Sequence, residues 1–162
     1  MSKSATISLI FGLFGFLIDR AHKFFQIDIA GWSGGEMVKV TSFLDYVLIW
    51  NRGVSFGLFK NLPPYFLSII IGAALLILVI WWVKEKNTIT RIGLALCVGG
   101  AISNIIDRFL YGAVADFFHL HILGRSVFVN NIADIVIFIG VTLLILEMVL
   151  PSNKIKSNSE KS

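Results

Sequence analysis

The sequence predicts an all-α membrane protein of four transmembrane helices, with a small β-rich extracytoplasmic cradle between helices 1 and 2. Three observations carry this. Of 162 residues, 56% are hydrophobic and 15% charged, too apolar for an ordinary soluble domain and too short for two large ones. Tyr65 to Val83 runs 19 residues without a charge, close to the roughly 20 needed to cross the hydrocarbon core. Met37 to Trp50, inside the one long connection, alternates and is β-branched, the pattern of a hairpin at the membrane interface.

The first span runs from Ala5 to about Phe25. Lys3 ahead of the apolar run Ala5 to Ile18 imitates a cleavable signal peptide, but the run passes into Asp19-Arg20-Ala21-His22-Lys23 with no small-x-small cleavage site, so a retained helix is expected. Residues 26–64 form the connection that carries the hairpin and ends on Asn51-Arg52-Gly53. Pro63 and Pro64 suit the first turn of helix 2, and Trp81 and Trp82 suit an interfacial aromatic belt at its other end. The third span, Ile92 to Leu110, and the fourth, Val127 to about Leu150, carry acidic residues that lower their hydropathy. Residues 1–151 read as a single membrane domain, and the Ser/Lys/Asn-rich residues 152–162 as a disordered cytoplasmic tail.

Orientation follows from Lys/Arg density. Residues 1–4, 84–91 and 151–162 hold seven such residues in 24 positions, whereas residues 26–64 and 111–126 hold four in 55. The positive-inside rule then places both termini in the cytoplasm. The net charge of +4 is a topology signal and calls for no nucleic acid. Asp19, Asp107, Asp116 and Asp134 all fall toward the outer face. With a helix starting at Val127, Asp134 lies seven residues inside it, about 10 Å at 1.5 Å per residue.

An Asp at mid-membrane costs roughly 2.5 to 3.5 kcal/mol, so such groups face a bundle interior or a wet cavity and mark function. On helix 3, Asn104, Asp107 and Arg108 share one face, and Ala95, Gly99 and Ser103 offer a small surface for close helix approach. Structural roles suit Asp107 and Arg108, and a local i, i+4 ion pair suits Asp19 and Lys23 as well as a role in a site does. Asp116 and Asp134 differ, because neither has a basic residue at helical spacing. Two carboxylates held close share a proton and supply a general acid and a general base together. The residues alone leave a proton or ion relay equally open.

Other chemistries are poorly supported. Cys97 stands alone in a helix and reads as a packing residue. His119 and His121 alternate as on a strand and, with Asp116, make a conceivable metal set, but they lack an HExxH context and read as interfacial surface residues. No metal, and no other cofactor, is expected.

The series Asp19-Arg20-Ala21-His22-Lys23, Asn51-Arg52-Gly53-Val54-Ser55-Phe56-Gly57, Gly99-Gly100-Ala101-Ile102-Ser103-Asn104-Ile105-Ile106-Asp107-Arg108, Gly112-Ala113-Val114-Ala115-Asp116-Phe117 and Asn131-Ile132-Ala133-Asp134 closely resembles the bacterial lipoprotein signal peptidase (signal peptidase II) family, in order and over nearly the whole chain. The resemblance implies an aspartic endopeptidase of the bacterial cytoplasmic (inner) membrane that removes the signal peptide from diacylglyceryl-modified prolipoproteins, cleaving before the lipidated Cys. It implies Asp116 and Asp134 as the catalytic pair, with Asp19, Lys23, Asn51, Gly53, Asn104, Asp107, Arg108 and Asn131 binding substrate or supporting the site. Prolipoproteins and membrane lipids are then the partners of a monomeric, multi-pass enzyme whose site faces the outer leaflet. Two positions depart from the family pattern: Ser103 stands where a Gly is usual, and Asn130 where an aromatic commonly precedes Asn131.

Overall fold

A computed structural model describes residues 2–53 and 64–150. In chain order they form α1 (Lys3–Phe24), β1 (Met37–Lys39), β2 (Leu44–Asn51), α2 (Pro64–Lys84), α3 (Thr88–Tyr111), β3 (Val114–Ile122), β4 (Arg125–Asn130) and α4 (Ile132–Val149). Pro63, the stretch Val54 to Gly57 and the expected tail at 152–162 lie outside the described residues. Among the described residues, α1 with the wider turn that follows it, α3 and α4 are long and apolar enough to cross a membrane, and α2 adds a shorter apolar run, Ile69–Lys84.

α3 is the central helix, packed on α1 along one face and on α4 along another. The buried residues of α1 are Ala5, Ser8, Gly12, Gly15, Asp19 and Lys23, a stripe at three- and four-residue spacing that stays small as far as Gly15 and then becomes charged. Small residues let the backbones close in, which is how helices gain dispersion energy where lipid removes the hydrophobic drive. A Cβ on Gly99 would stand 2.2 Å from the Gly12 carbonyl oxygen, and one on Gly140 2.6 Å from that of Gly93. The expected Ala95-Gly99-Ser103 surface is therefore the α1 contact. Trp82 donates inward to Ser8 Oγ at 3.0 Å, while Trp81 beside it is exposed.

The sheet corrects the expected all-α plan in its extent. Four antiparallel strands run in the order β1-β2-β3-β4, so half of the sheet comes from the connection between α3 and α4 and its strands are not confined to residues 26–64. Gly112, left-handed at φ 69°, ends α3 and turns the chain into β3. Val127 and Val129 belong to β4 rather than to α4, because apolar alternation over a short run is equally a strand signal. Asp134 accordingly stands in the first turn of α4 and not seven residues inside it.

Leu48, Ala115 and Phe117 form a buried cluster under the sheet, packed by Ile27, Trp32, Tyr46, Trp50 and Phe118. His22 fastens this layer to α1: its ring stands edge-on to Phe117 at 4.7 Å and its Nε2 lies 2.7 Å from the Tyr46 hydroxyl. The sheet therefore sits directly over the charged end of the α1 stripe.

Candidate active site

Two layers of polar side chains meet where α1, α3, α4 and the sheet converge. The inner layer is ionic and closed. Asp19, Lys23 and Asp107 are each 0% exposed. Lys23 Nζ lies 2.8 Å from Asp19 Oδ2 and 2.6 Å from Asp107 Oδ2, and Arg20 pairs with the other oxygen of Asp107. Charges are tolerated in such a place only when paired and hydrogen-bonded. Ser103 Oγ donates to Asp19 Oδ2 at 2.6 Å, so Ser103 is part of the network.

The outer layer holds Asp116 and Asp134. The amide of Asn131 donates to Asp116 Oδ1 at 2.7 Å. The same residue caps α4: its Oδ1 accepts from the Asp134 N–H at 3.0 Å, while Asp134 Oδ2 accepts from the Asn131 N–H at 3.2 Å. This reciprocal capping box explains why Asn131-Ile132-Ala133-Asp134 has its spacing: the cap of a helix and the bridge between two acids are one residue. Asn104 donates to Asp134 Oδ1 at 2.8 Å and accepts from Asn131 at 3.1 Å. Asn51, last residue of β2, donates to Asp116 Oδ2 at 3.0 Å, and the Gly53 N–H fixes that amide's orientation by donating to Asn51 Oδ1 at 3.1 Å.

Neither Asp116 nor Asp134 makes an ion pair with a described residue. Asp116 is 1% exposed. Burial pushes its carboxyl up to about 7, against the hydrogen bonds from Asn51 and Asn131, and the nearby charge of Asp134 pushes the same way. A carboxyl there exchanges its proton near neutral pH, as a group doing acid–base work must.

All ten sequence-derived site residues thus gather at one place, and the local expectations divide. The Asp19–Lys23 pair forms and is also part of the site. Asp107 does not pair with its neighbour Arg108; its partners are Arg20 and Lys23. Arg108 instead donates to the Asn104 carbonyl at 3.1 Å and stands in the combined field of Asp134, Asp116 and Asp107. Arg20 and Ser103 were not singled out as site residues. Arg20 carried a signal, a second cation beside an acid at the end of an apolar helix; Ser103 looked like any small packing residue. His119 and His121 do not join Asp116, since the two-residue alternation of β3 turns them to the other face. They lie 3.5 and 3.2 Å from Asp45, buried on β2.

Known proteins are similar to this chain over most of its length. Lipoprotein signal peptidase of Pelagibacter ubique is 37% identical over 161 residues, covering 98% of this chain and 96% of that one. The protein of that name from Nitrobacter hamburgensis is 38% identical over 141 residues, covering 83% and 86%. That from Rickettsia conorii is 40% identical over 132 residues, and there the match takes in 80% of this chain but 66% of the relative. A bacterial membrane enzyme solved by the in meso method at 2.3 Å superposes with a TM-score of 0.76 and 29% identity, covering 92% of each chain. The sequence profile described as signal peptidase (SPase) II matches residues 11–150. That match runs from within α1 to the end of α4 and takes in both polar layers, and on it the chain belongs to the signal peptidase II family of peptidases.

Proposed function

We propose that the protein is an intramembrane aspartic endopeptidase which removes the signal peptide from diacylglyceryl-modified prolipoproteins, cleaving before the lipidated Cys, with Asp116 and Asp134 as its catalytic pair. The observation that carries the reading is the partner set of the two acids: Asn131 touches both, and every other described hydrogen bond to their side chains comes from a neutral amide. Among the described residues no cation forms an ion pair with either acid, and burial holds Asp116 at about 7, so in this reading the pair shares one proton near neutral pH, with Asp116 as the acid and Asp134 as the base.

The reaction then needs no covalent intermediate. Asp134 takes a proton from water as the hydroxide oxygen adds to the scissile carbonyl carbon, and Asp116 gives its proton to the carbonyl oxygen. The tetrahedral diol collapses as the carbon–nitrogen bond breaks. Its amine leaves with the proton Asp134 had taken, and Asp116 recovers one from the diol hydroxyl, so the pair ends as it began. Asn51, Asn104 and Asn131 hold the acids in register, and Arg108 lends positive field at the rim.

In this reading four helices cross the bacterial inner membrane, both termini are cytoplasmic, residues 1–151 form one domain, and the sheet is an extracytoplasmic cradle over the substrate. A lipidated substrate reaches such a site by lateral diffusion, with its acyl chains left in the bilayer, and a monomer suffices. The proton-relay alternative is the weaker one, because membership of a peptidase family and acids gathered at one end both count against it. Purified protein in detergent should convert a diacylglyceryl prolipoprotein to signal peptide and mature lipoprotein, with EDTA having no effect; absence of cleavage overturns the assignment. For orientation, single cysteines at Ser42 or Gly124 in a Cys97→Ser background should label with an impermeant thiol reagent outside intact spheroplasts, and one at Asn87 should not. The reverse pattern would put the acids on the cytoplasmic side and restore the relay.

A further inference from the structure

Lys23 is fully enclosed, and its ammonium has three N–H groups to place. All three are used, on Asp19 Oδ2 at 2.8 Å, Asp107 Oδ2 at 2.6 Å and Asn104 Oδ1 at 3.0 Å. No hydrogen is left for a substrate, so whatever Lys23 does for the reaction is done through those partners.

Each partner leads to a member of the catalytic pair. Asp19 turns its second oxygen, Oδ1, to the N–H of Ala133 at 2.8 Å, the residue before Asp134. Asp107 Oδ2 accepts from the N–H of Ala115 at 3.2 Å, the residue before Asp116. Asn104, with its oxygen held by the ammonium, must point its amide nitrogen the other way, where it donates to Asp134 Oδ1 at 2.8 Å. The same oxygen takes the amide of Asn131, which continues to Asp116 Oδ1 at 2.7 Å. One cation on α1 is thus tied by two main-chain clamps and one amide relay to the strand that carries Asp116 and the helix that carries Asp134. Asp19 and Asp107 balance Lys23 and Arg20 in charge, so the bracket acts on the pair by geometry more than by net field.

We propose that Lys23 is a positioning residue of the reaction, its ammonium bracket setting the separation and orientation of Asp116 and Asp134. The proposal rests on the dyad reading and deepens it. Without the ammonium, Asp19 loses its cation and Asp107 keeps only Arg20, so nothing draws the two carboxylates together. Their repulsion pushes apart Ala133 and Ala115, and with them the two acids. Misplacement of reacting groups by about 1 Å costs on the order of 10²-fold in rate, and acids held farther apart interact less, so their two apparent titrations draw together. Substrate contacts are untouched, because Lys23 is sealed from them.

The test uses the full chain in detergent with a diacylglyceryl prolipoprotein, and reads kcat, KM and the pH–rate profile of Lys23→Met, normalised to the folded fraction. The expected result is kcat lower by about 10²-fold, KM within about twofold, and the two limbs of the bell closer by roughly half a pH unit or more. A folded variant with wild-type kcat and unmoved limbs overturns the proposal, since a merely structural lysine would change only the folded fraction. Should Lys23→Met fail to fold, Asp19→Asn decides by the same readouts: it keeps an oxygen for Ala133 while losing the ion pair. Asp116→Asn, run alongside, separates the two claims. Turnover in that variant sinks the dyad, whereas a dead Asp116→Asn beside an unaltered bracket variant sinks only the bracket.

Discussion

Asp19 and Asp107 on one side, Asp116 and Asp134 on the other, are two pairs of the same side chain in neighbouring layers, and they differ in what faces them. The first pair is closed by an ammonium and a guanidinium, with a serine hydroxyl and two main-chain N–H groups completing the set. Among the described residues, the second pair receives hydrogen bonds only from neutral side-chain and main-chain amides. Carboxylates closed by cations serve as fixed tethers; at Asp116, burial outweighs the neutral donors and raises the carboxyl to about 7. On the proposed reading, one residue type yields a frame and a reactive centre in adjacent layers.

The strongest way to break the comparison is to neutralise one acid of the reactive pair. Asp116→Asn and Asp134→Asn should each lower kcat by about 10³-fold or more while the protein still inserts and folds, because the general acid or base is gone but most amide contacts have a replacement. Substantial cleavage by either folded variant would mean that the pair is not the reactive one.

Next in size is the frame. Asp107→Ala leaves Lys23 and Arg20 facing a buried gap and the Ala115 N–H without an acceptor, so it should cost about 3–5 kcal/mol of stability, read by thermal or denaturant unfolding in detergent. A loss below about 1 kcal/mol, of the size expected for an exposed pair, would remove the distinction between tether and reactive acid.

The smallest effect is in the pH dependence of stability, and it sharpens the comparison by sign. Asp116 is at about 7 in the folded protein against 3.8 for the ordinary carboxyl. Between those values the folded chain binds the extra proton, so stability from this group is complete below about pH 4 and declines as pH rises toward and through 7, by no more than about 4 kcal/mol. Asp116→Asn should flatten that decline. A wild type whose stability rises from pH 4 to 7 with the same slope in the variant would show that Asp116 is an ordinary ionised carboxylate.

What was legible in the sequence was whatever a residue decides with its near neighbours in the chain. The uncharged run before Lys84 and the apolar stripes gave helices. The four-residue spacing of Ala95, Gly99 and Ser103 gave a packing face, and alternation in residues 37–50 gave the β1–β2 hairpin. Five polar motifs in register gave the family and ten residues that the fold brings together. The sequence also showed that Asp116 and Asp134 lack a local counter-ion, a matter of spacing alone.

Tertiary structure decided the remainder, because those choices rest on partners far along the chain. Val127 and Val129 satisfy a strand or a helix equally until β3 offers them a ladder, and that ladder moves the start of α4 to Ile132. Asp107 has Arg108 beside it in sequence, but its salt bridges run to Arg20 and Lys23 on another helix. Ser103 becomes a donor only because α1 brings Asp19 within 2.6 Å. Local sequence sets which groups a segment carries and which face shows them; the low dielectric of a sealed interior makes pairing obligatory, and only the packed fold determines which groups are close enough to pair.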